Sequence, residues 1–280
     1  MGNHYIPQKY LLRFADDKGC VWGHDREKNN SFHPGVRVIA HEINMYSQEV
    51  ETALNEKVEI PSHGVFDKIL TRQSLSDADR NVLAKYIVVM WKRVPTGRQR
   101  SLNLLPAIAD AVQSQIEAEF DELRKVDPSH PMLDDSIRRA NEYIEKVKES
   151  PPVSLWYDSI NLTEQGPVEA ALLSMNWIFL HSERLQYLTS DNPVFFTEAE
   201  GLLSPTAEFT FPISDSIALW GTRQNQRNDS HVIALAGAVK QINRRTAANA
   251  DRFVFSRHNE DWIMPFIKKG EWELTRLGRG

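Results

Sequence analysis

The clearest pattern of hydrophobic and polar positions lies in the middle of the chain, between residues 76 and 148. One run of apolar side chains at helical spacing comprises Val82, Leu83, Tyr86, Ile87, Met90 and Trp91. A second run, at steps of three and four residues, comprises Leu102, Leu105, Ile108, Val112, Ile116, Phe120 and Leu123. This spacing predicts two amphipathic helices whose apolar faces contact a core. A third helix is predicted over residues 134–148, and Pro151 and Pro152 end it.

Local signals mark other helix boundaries in the first half of the chain. Ser76 followed by Asp79 is typical of a helix start, because the hydroxyl and the acid cap the first turn. A short helix is predicted over residues 8–15, since Pro7 is tolerated in a first helical turn. Residues 43–60 are predicted to be helical, with Pro61 interrupting the helix.

Beyond residue 152 the pattern changes to short aromatic and β-branched runs separated by turn residues. These runs are 177–180, 187–188, 194–196, 209–211, 217–220 and 253–255. They are typical of strands, with one helix predicted over residues 232–249 and one more strand within residues 262–277. The order indicates an α+β protein with a helix-rich N-terminal part packed with a mixed, mostly antiparallel sheet in the C-terminal part.

The pair Pro151 and Pro152 is the best candidate for a domain boundary. A division there separates a helical part, 1–150, from a mixed part, 153–280. The same two prolines also fit a turn inside one domain, and the pattern does not choose between these interpretations.

Composition narrows the class of protein. The chain has 280 residues, of which 41% are hydrophobic and 25% are charged, as in ordinary globular proteins. A net charge of -5 excludes a global basic field, so any nucleic-acid contact needs a local basic patch. The single cysteine, Cys20, excludes an intramolecular disulfide and fits a reducing compartment. No secretory signal and no membrane-length apolar run are recognised, which predicts a cytoplasmic protein without a membrane partner.

Polar residues suited to chemistry occur near the N-terminus and after the first long helix. His4 can act as a general acid or base near neutral pH, and Gln8 follows one helical turn later. The alternative for His4 is a surface residue in a mobile terminus. Arg93 and Arg98 belong to a basic stretch, residues 92–100, whose guanidinium groups suit phosphates or carboxylates. The alternative is a basic helix end that complements its own dipole.

Two further polar groups lie in the second half of the chain. Asp191 and Asn192 stand between two strand-like runs, a position common for catalytic residues and equally common for turns. Asn243 lies on the predicted late helix beside Arg244 and Arg245, which can face an anion or form a solvated helix face. Histidines occur without HExxH spacing, and GxSxG, P-loop and GxGxxG motifs are absent. The sequence therefore predicts no metal ligand set and no cofactor.

Taken together, these motifs resemble the bacterial family called domain of unknown function 4238. The opening signature and the later matches, in the family's order, are His4-Tyr5-Ile6-Pro7-Gln8, Tyr10, Leu11, Phe14, Arg93-Val94-Pro95, Ser190-Asp191-Asn192-Pro193, Phe211-Pro212-Ile213, Asn243 and Phe253-Val254-Phe255. The resemblance implies one family domain over residues 1–280 and carries no established activity. It also implies that the site comprises His4, Gln8, Arg93, Asp191 and Asn192. The aromatic and apolar members of the signature are then scaffold.

Two classes of function fit these residues. The first is a metal-independent hydrolase or nuclease of toxin or defence type, acting on a phosphodiester or other anionic substrate. In it His4 is the general acid or base, Asp191 orients it or activates water, and Arg93 stabilises an oxyanion or phosphate. Gln8 and Asn192 complete the catalytic set, while Arg98 and Asn243 bind substrate.

The second class is a non-catalytic regulatory module that binds an anionic small molecule, a nucleic acid or a partner carboxylate through the same residues. A third, weaker hypothesis is a metal hydrolase that uses His4, Asp191 and another histidine. The sequence leaves open whether the protein is an enzyme.

Overall fold

The computed structural model of the chain describes residues 2–43, 45–128, 131–160, 162, 164–197, 201–224, 230–270 and 273–277. Two compact units divide the chain. The first is formed by Met1–Pro95 together with Asn161–Gly280, and the second by Thr96–Ile160. That a single family domain covers the whole chain stays a prediction.

Helices account for most of the regular structure in the first half of the chain. The helices are α1 (Gln8–Leu11), α2 (Gln48–Leu54), α3 (Ile60–Leu70), α4 (Asp77–Arg93), α5 (Pro95–Val126), α6 (Leu133–Glu149), α7 (Val153–Ser159), α8 (Pro167–Leu173), α9 (Ala236–Asn249) and α10 (Ile263–Lys268). The first half of the chain also contains two short 3-10 turns, at Leu12–Phe14 and Val36–Val38. The predicted boundary at residues 151–152 lies between α6 and α7, within the second unit.

Strands are short and fall mainly in the second half. The strands are β1 (Gly2–His4), β2 (Trp22–Asp25), β3 (Asn30–Phe32), β4 (His41–Ile43), β5 (Asn176–His181), β6 (Thr189–Ser190), β7 (Phe195–Phe196), β8 (Glu208–Pro212), β9 (Ile217–Thr222), β10 (Ser230–Ile233) and β11 (Phe253–Ser256). The predicted α+β class is confirmed, with a helix-rich N-terminal part and sheets in the C-terminal part.

Three sheets are formed by these strands. A five-stranded sheet has the order β10-β5-β9-β8-β7, in which β10 is parallel to β5 and the other pairs are antiparallel. A four-stranded antiparallel sheet, β3-β2-β11-β6, joins the N-terminal hairpin to two C-terminal strands. The pair β1-β4 places His4 opposite His41. The N-terminal residues are therefore part of the same fold as the C-terminal sheet.

The apolar residues of the N-terminal signature pack into the core of the first unit. Tyr10, Leu11 and Phe14 are fully buried. The Tyr10 hydroxyl donates to the carbonyl of Pro212 at 2.9 Å and lies 2.7 Å from the Thr189 hydroxyl. These bonds satisfy a buried phenol and hold α1 against the two larger sheets. The chain around His4 is thereby held in place.

The helix start predicted at Ser76 is confirmed by a capping box. The Ser76 hydroxyl accepts a hydrogen bond from the Asp79 N–H at 3.2 Å, and the Asp79 carboxylate accepts one from the Ser76 N–H at 2.9 Å. Two N–H groups that no helical carbonyl can reach are satisfied in this way. Lys68 donates to the same carboxylate at 2.8 Å, which connects α3 to the start of α4.

A π-helical turn at Asn55–Glu59 links α2 directly to α3. Pro61 has no N–H to offer the carbonyl of Lys57, so an ordinary α-helical register is lost at this point. The widened turn before Pro61 takes up that loss, and the helix continues. The prediction that Pro61 interrupts the helix is therefore wrong, and the predicted helix begins later, at Gln48.

The second unit contains the long apolar stripe of α5. Helices α5 and α6 were predicted, whereas α7 was not. The stripe of α5 is only partly covered: Ile108 is 52% exposed and Leu123 is 53% exposed. Periodicity predicts which residues share a face, and packing decides whether that face is buried.

In the first unit, the strand predicted within residues 262–277 is wrong where the structure describes it, because Ile263–Lys268 is helical.

Among the helices of the described residues, none combines the length and the apolar character needed to cross a membrane.

Candidate functional site

A polar cavity of about 460 Å³ lies in the first unit, beside α1 and the π-helical turn. Its lining residues are His4, Pro7, Gln8, Lys9, Gln48, Glu51, Thr52, Asn55, Glu59, Ile60 and His63. The size falls within the range of small-molecule sites. Amide, imidazole, carboxylate and ammonium groups converge here, and a π-helical turn is a frequent feature of functional sites.

His4 is held in one orientation at the wall of this cavity. Its Nε2 lies 3.1 Å from the carbonyl oxygen of Arg37, which can only accept, so Nε2 carries the proton. Nδ1 then presents its lone pair, and the Gln8 amide nitrogen lies 3.5 Å from it. Burial lowers the pKa of His4 below its ordinary value, and the Arg37 carbonyl works in the opposite direction. The imidazole is therefore a neutral base at physiological pH.

Lys9 and His63 form a second pair on the same cavity. The Lys9 ammonium donates to His63 Nδ1 at 3.2 Å, which leaves the ring proton of His63 on Nε2. Burial, followed by the charge of Lys9, lowers the pKa of His63. His63 follows Glu59 by four residues, one turn along the helix. The pair supplies one positive charge and one neutral N–H donor to the cavity.

Arg93 does not line the cavity but contacts residues that do. It is 1% exposed, and its guanidinium donates to Glu59 at 2.6 Å, to the Tyr46 hydroxyl at 2.9 Å and to the backbone carbonyl of His4. Burial alone lowers the pKa of this guanidinium, but Tyr46 and Glu59 outweigh it and raise the pKa above the ordinary value. Arg93 is therefore a charged strut that fixes the His4 backbone and neutralises Glu59.

Asp191 lies in a different polar cluster, beside the start of β11. Its carboxylate accepts backbone N–H groups from Asp251 at 2.8 Å, Arg252 at 2.7 Å and Phe253 at 2.7 Å. Three successive N–H groups form an anion-binding nest, and the protein fills it with its own side chain. Burial raises the pKa of Asp191 to about 7, while the N–H donors favour the ionised form.

Asn192 belongs to the same cluster as Asp191. Its amide nitrogen lies 3.4 Å from the Asp251 carboxylate, and its backbone carbonyl accepts a hydrogen bond from Asn249 at 2.7 Å. Among the hydrogen bonds of the described residues, none joins His4 to either Asp191 or Asn192. The structure brings His4 and Gln8 together with the Arg93 strut, and it places the Asp-Asn pair elsewhere.

The residue after His4 has a different environment. Tyr5 follows β1 and is 8% exposed. After burial, the charges of Asp191 and Asp251 are the next causes that raise the pKa of Tyr5. Tyr5 is therefore near the Asp191 cluster, whereas His4 lines the cavity.

The two residues predicted to bind substrate also have defined environments. Arg98 lies in the second unit, with its guanidinium 5.7 Å from the ring centroid of Trp156. Asn243 is 3% exposed; its carbonyl accepts from the Leu188 N–H at 2.9 Å, and its amide donates to the Gln186 carbonyl at 3.0 Å. The side chain of Asn243 therefore ties α9 to the segment before β6. A substrate-binding role for both residues stays a prediction.

One described group has the ligand types of a metal site. One ligand atom each from Asp16, Cys20 and His33 lies within 4.8 Å of the other two. His33 Nε2 already lies 3.1 Å from an Asp16 oxygen, and the other Asp16 oxygen accepts the Cys20 N–H at 2.9 Å. These contacts account for the arrangement as a turn. The group contains neither His4 nor Asp191, so it gives no support to a metal hydrolase built on them.

Sequence reasoning missed Lys9, Glu51, Glu59 and His63 as lining residues of the cavity. A usable signal was present, because Asn55, Glu59 and His63 recur every four residues and so share one helix face. Treating Pro61 as a helix end hid that face. Tyr46 carried no such signal, since its contact with Arg93 joins residues 47 positions apart.

The fold and the cavity define an α+β protein whose N-terminal histidine faces a polar, cation-bearing pocket. The chain belongs to the family described as a protein of unknown function, DUF4238, whose model matches residues 3–260. The resemblance found in the sequence is thereby confirmed. No curated protein matches the chain. No solved structure matches it either.

Proposed function

We propose that this protein is a metal-independent hydrolase that acts on a phosphodiester or another anionic substrate in the His4 cavity. One observation carries the proposal: His4 is a half-buried neutral imidazole with a lone pair on Nδ1, at the wall of a cavity that Lys9 and His63 also line. A general base, a positive charge and a further N–H donor are the parts that such a reaction needs.

The roles follow from the protonation of each group. In the free protein the Arg37 carbonyl and Gln8 keep the ring oriented. The attacking hydroxyl or water displaces the long Gln8 contact at Nδ1 and gives its proton to His4. Its oxygen bonds to phosphorus as the bond from phosphorus to the leaving oxygen breaks, and protonated His4 then returns the proton to that leaving oxygen. The Lys9 ammonium stabilises the charge that develops on the substrate oxygens, and His63 donates a hydrogen bond to it. His4, Gln8, Lys9 and His63 all line the cavity, so the proposed step uses side chains of this chain alone.

The charges around the cavity indicate how a substrate is oriented. The carboxylate of Glu59 is paired with Arg93, whereas Glu51 brings a carboxylate from α2. The cavity therefore has a cationic side at Lys9 and an anionic side at Glu51. An anionic group binds on the Lys9 side, and the nucleophile is left toward Glu51 and His4.

The test is hydrolysis of phosphodiesters in the presence of EDTA, with short RNA and DNA strands and an activated aryl phosphodiester. We expect turnover that His4→Asn reduces by about 10²–10⁴-fold. His41→Asn is the matched control, because the ring of His41 lies 5.6 Å from that of His4 on the paired strand and does not line the cavity. Full activity in His4→Asn, with an unchanged circular dichroism spectrum, would contradict the proposal.

The pH profile gives a second readout of the same base. Protonated His4 cannot accept a proton, so activity is expected to fall on the acid side as pH drops through its pKa. Burial places that pKa below 6.5, and the acid limb is expected there. An acid limb above 6.5 would assign the base to another group.

A second candidate function is a non-catalytic module that binds an anion in the same cavity. This function is favoured because two residues that were predicted to be catalytic already use their side chains within the protein. Arg93 donates hydrogen bonds to Glu59 and Tyr46. Asp191 accepts hydrogen bonds from three backbone N–H groups. Calorimetry with inorganic phosphate and with an uncleavable phosphonate analogue distinguishes the two functions. Saturable binding weakened by Lys9→Gln, with no turnover of any diester, supports the module.

We also propose a toxin or defence role in a bacterial cytoplasm, by analogy with the accessory genes that such families often comprise. The single cysteine supports a reducing compartment. Expression in a bacterial host tests the role: wild-type chain is expected to slow growth, and His4→Asn to relieve the effect at equal protein level. Equal toxicity of the wild-type and His4→Asn chains would show that the toxin or defence role does not depend on the His4 cavity.

A further inference from the structure

A second cavity, of about 380 Å³, lies between α9 and α10 in the first unit. Its lining residues are Leu185, Lys240, Asn243, Arg244, Trp262 and Phe266. Lys240 and Arg244 are four residues apart on α9, and Trp262 and Phe266 are four apart along α10 and its N-cap. Each pair therefore lies on one side of its helix. One wall of the cavity is cationic and the other is aromatic.

The aromatic wall has a fixed geometry. The rings of Trp262 and Phe266 are 5.3 Å apart and meet at 82°, edge to face. The indole N–H donates to the Glu260 carboxylate at 2.5 Å, so the indole cannot turn without losing this bond. Asn243 uses both polar atoms of its side chain on the backbone, so it contributes shape to the floor. An apolar planar group fits this wall better than a flexible polar one.

The cationic wall keeps donors for a ligand. Arg244 donates from Nη1 to Gln241 at 3.1 Å, a bond that uses one of its five N–H donors. Lys240 is exposed and has no ion-pair partner within the described part of the chain. An ammonium and a guanidinium one helical turn apart suit a compact anion such as a phosphate group.

The geometry points to a binding site for a small aromatic phosphate of the nucleoside monophosphate type, separate from the His4 cavity. The ring packs on Trp262 and Phe266, and the phosphate contacts Lys240 and Arg244. The carboxylate of Glu260 against the indole makes the aromatic side unfavourable for additional phosphates. The site therefore selects one compact anion over a polyphosphate or a nucleic-acid strand.

Isothermal titration calorimetry with AMP, GMP and CMP tests this site, with adenosine, inorganic phosphate and benzoate as reference ligands. We expect one saturable site for a monophosphate, with adenosine and phosphate at least about tenfold weaker because each lacks one half of the contacts. Lys240→Gln with Arg244→Gln, and separately Phe266→Leu, should each weaken binding at least about tenfold. Lys268→Gln, on the last turn of α10, is the matched control and should bind normally.

Circular dichroism and the unfolding temperature show whether each variant is folded, and His4→Asn shows whether the ligand binds in the other cavity. Binding that His4→Asn leaves unchanged and that the α9 variants weaken supports the site. No binding of any monophosphate, or binding unchanged in the double variant, would overturn it. Benzoate or a short RNA strand binding more tightly than the monophosphates would also overturn it.

Discussion

The His4 cavity and the Asp191 nest are both polar clusters of the first unit, but they differ in how their side chains use hydrogen bonds. His4 has one nitrogen on a backbone carbonyl and keeps a lone pair beside a cavity. Asp191 accepts three backbone N–H groups and is 3% exposed. The first arrangement leaves a reactive atom available to a ligand, and the second uses the side chain to hold the α9–β11 connection.

This difference separates two reasons for placing a polar residue in a protein. A buried carboxylate that satisfies successive N–H groups replaces the anion such a nest would otherwise bind, and removing it leaves donors without acceptors. An oriented imidazole at a cavity can be removed at little structural cost, because water can replace it. Stability should therefore depend on the nest, and activity on the cavity.

The largest expected effect is that of Asp191→Ala. It leaves three backbone N–H groups without their buried acceptor, so the free energy of unfolding should fall by about 5 kcal/mol. Urea denaturation measures this change. Asp17→Ala is the control, since the Asp17 side chain is 95% exposed and its ion pair with Arg257 should contribute at most about 1 kcal/mol. A loss for Asp191→Ala no larger than that of the control would contradict a structural role.

Arg93→Met is expected to cost about 4 kcal/mol, because it leaves the Glu59 carboxylate without its buried cation and removes one of the two donors to the His4 carbonyl. This variant tests whether Arg93 supports activity at the cavity in addition to the stability of the core. Activity should fall together with stability, since the His4 backbone loses its support. Arg37→Met is the control, as Arg37 is exposed and offers the site only its backbone carbonyl. Full stability of Arg93→Met would show that the guanidinium is dispensable.

Acid should weaken the sheet that contains the nest. His24 lies on β2, between the hydroxyls of Ser31 and Ser256 at 2.9 Å each, and burial lowers its pKa to about 4. Between pH 6.5 and 4 the unfolded chain binds a proton that the folded chain does not. The free energy of unfolding should therefore fall by about 3 kcal/mol as pH drops through this window.

Unfolding of the wild-type chain and of His24→Gln across this pH range isolates that contribution as a difference between two curves. His181 also has a pKa lowered by burial, to about 4, and its contribution cancels in the comparison. Parallel curves for wild type and His24→Gln would show that His24 binds its proton equally in the folded and the unfolded chain, which would contradict the lowered pKa.

The smallest effect on stability is expected for Gln8→Ala. Gln8 is half-buried, and its bond to His4 is long at 3.5 Å, so the free energy of unfolding should change by less than about 0.5 kcal/mol. Turnover should fall by about tenfold, because the imidazole loses the group that orients it. Gln48→Ala, also on the cavity wall, is the control without a bond to His4. A large loss of stability with unchanged turnover would show that Gln8 has a structural role and does not orient His4.

Much of the helical structure was predictable from local patterns. Ser76 and Asp79 marked the start of α4 correctly, because a cap involves residues only three positions apart. The π-helical turn before Pro61 was not predicted, since a proline has the same local signal whether the helix stops or widens. The face shared by Glu59 and His63 was missed for the same reason. Of the candidate site, His4 and Gln8 lie on the cavity, whereas Asp191 and Asn192 do not.

The sequence by itself determined the α+β class, the principal helices, the family and the polar side chains available for chemistry. Periodicity, capping and short motifs act over a few residues, so they can be identified along the chain. Only the tertiary structure decided which polar groups face a cavity. Asp191 meets N–H groups 60 to 62 positions away, and Arg93 meets the carbonyl of His4 across 89 positions. Such contacts depend on how distant strands and helices pack, and no local pattern specifies them.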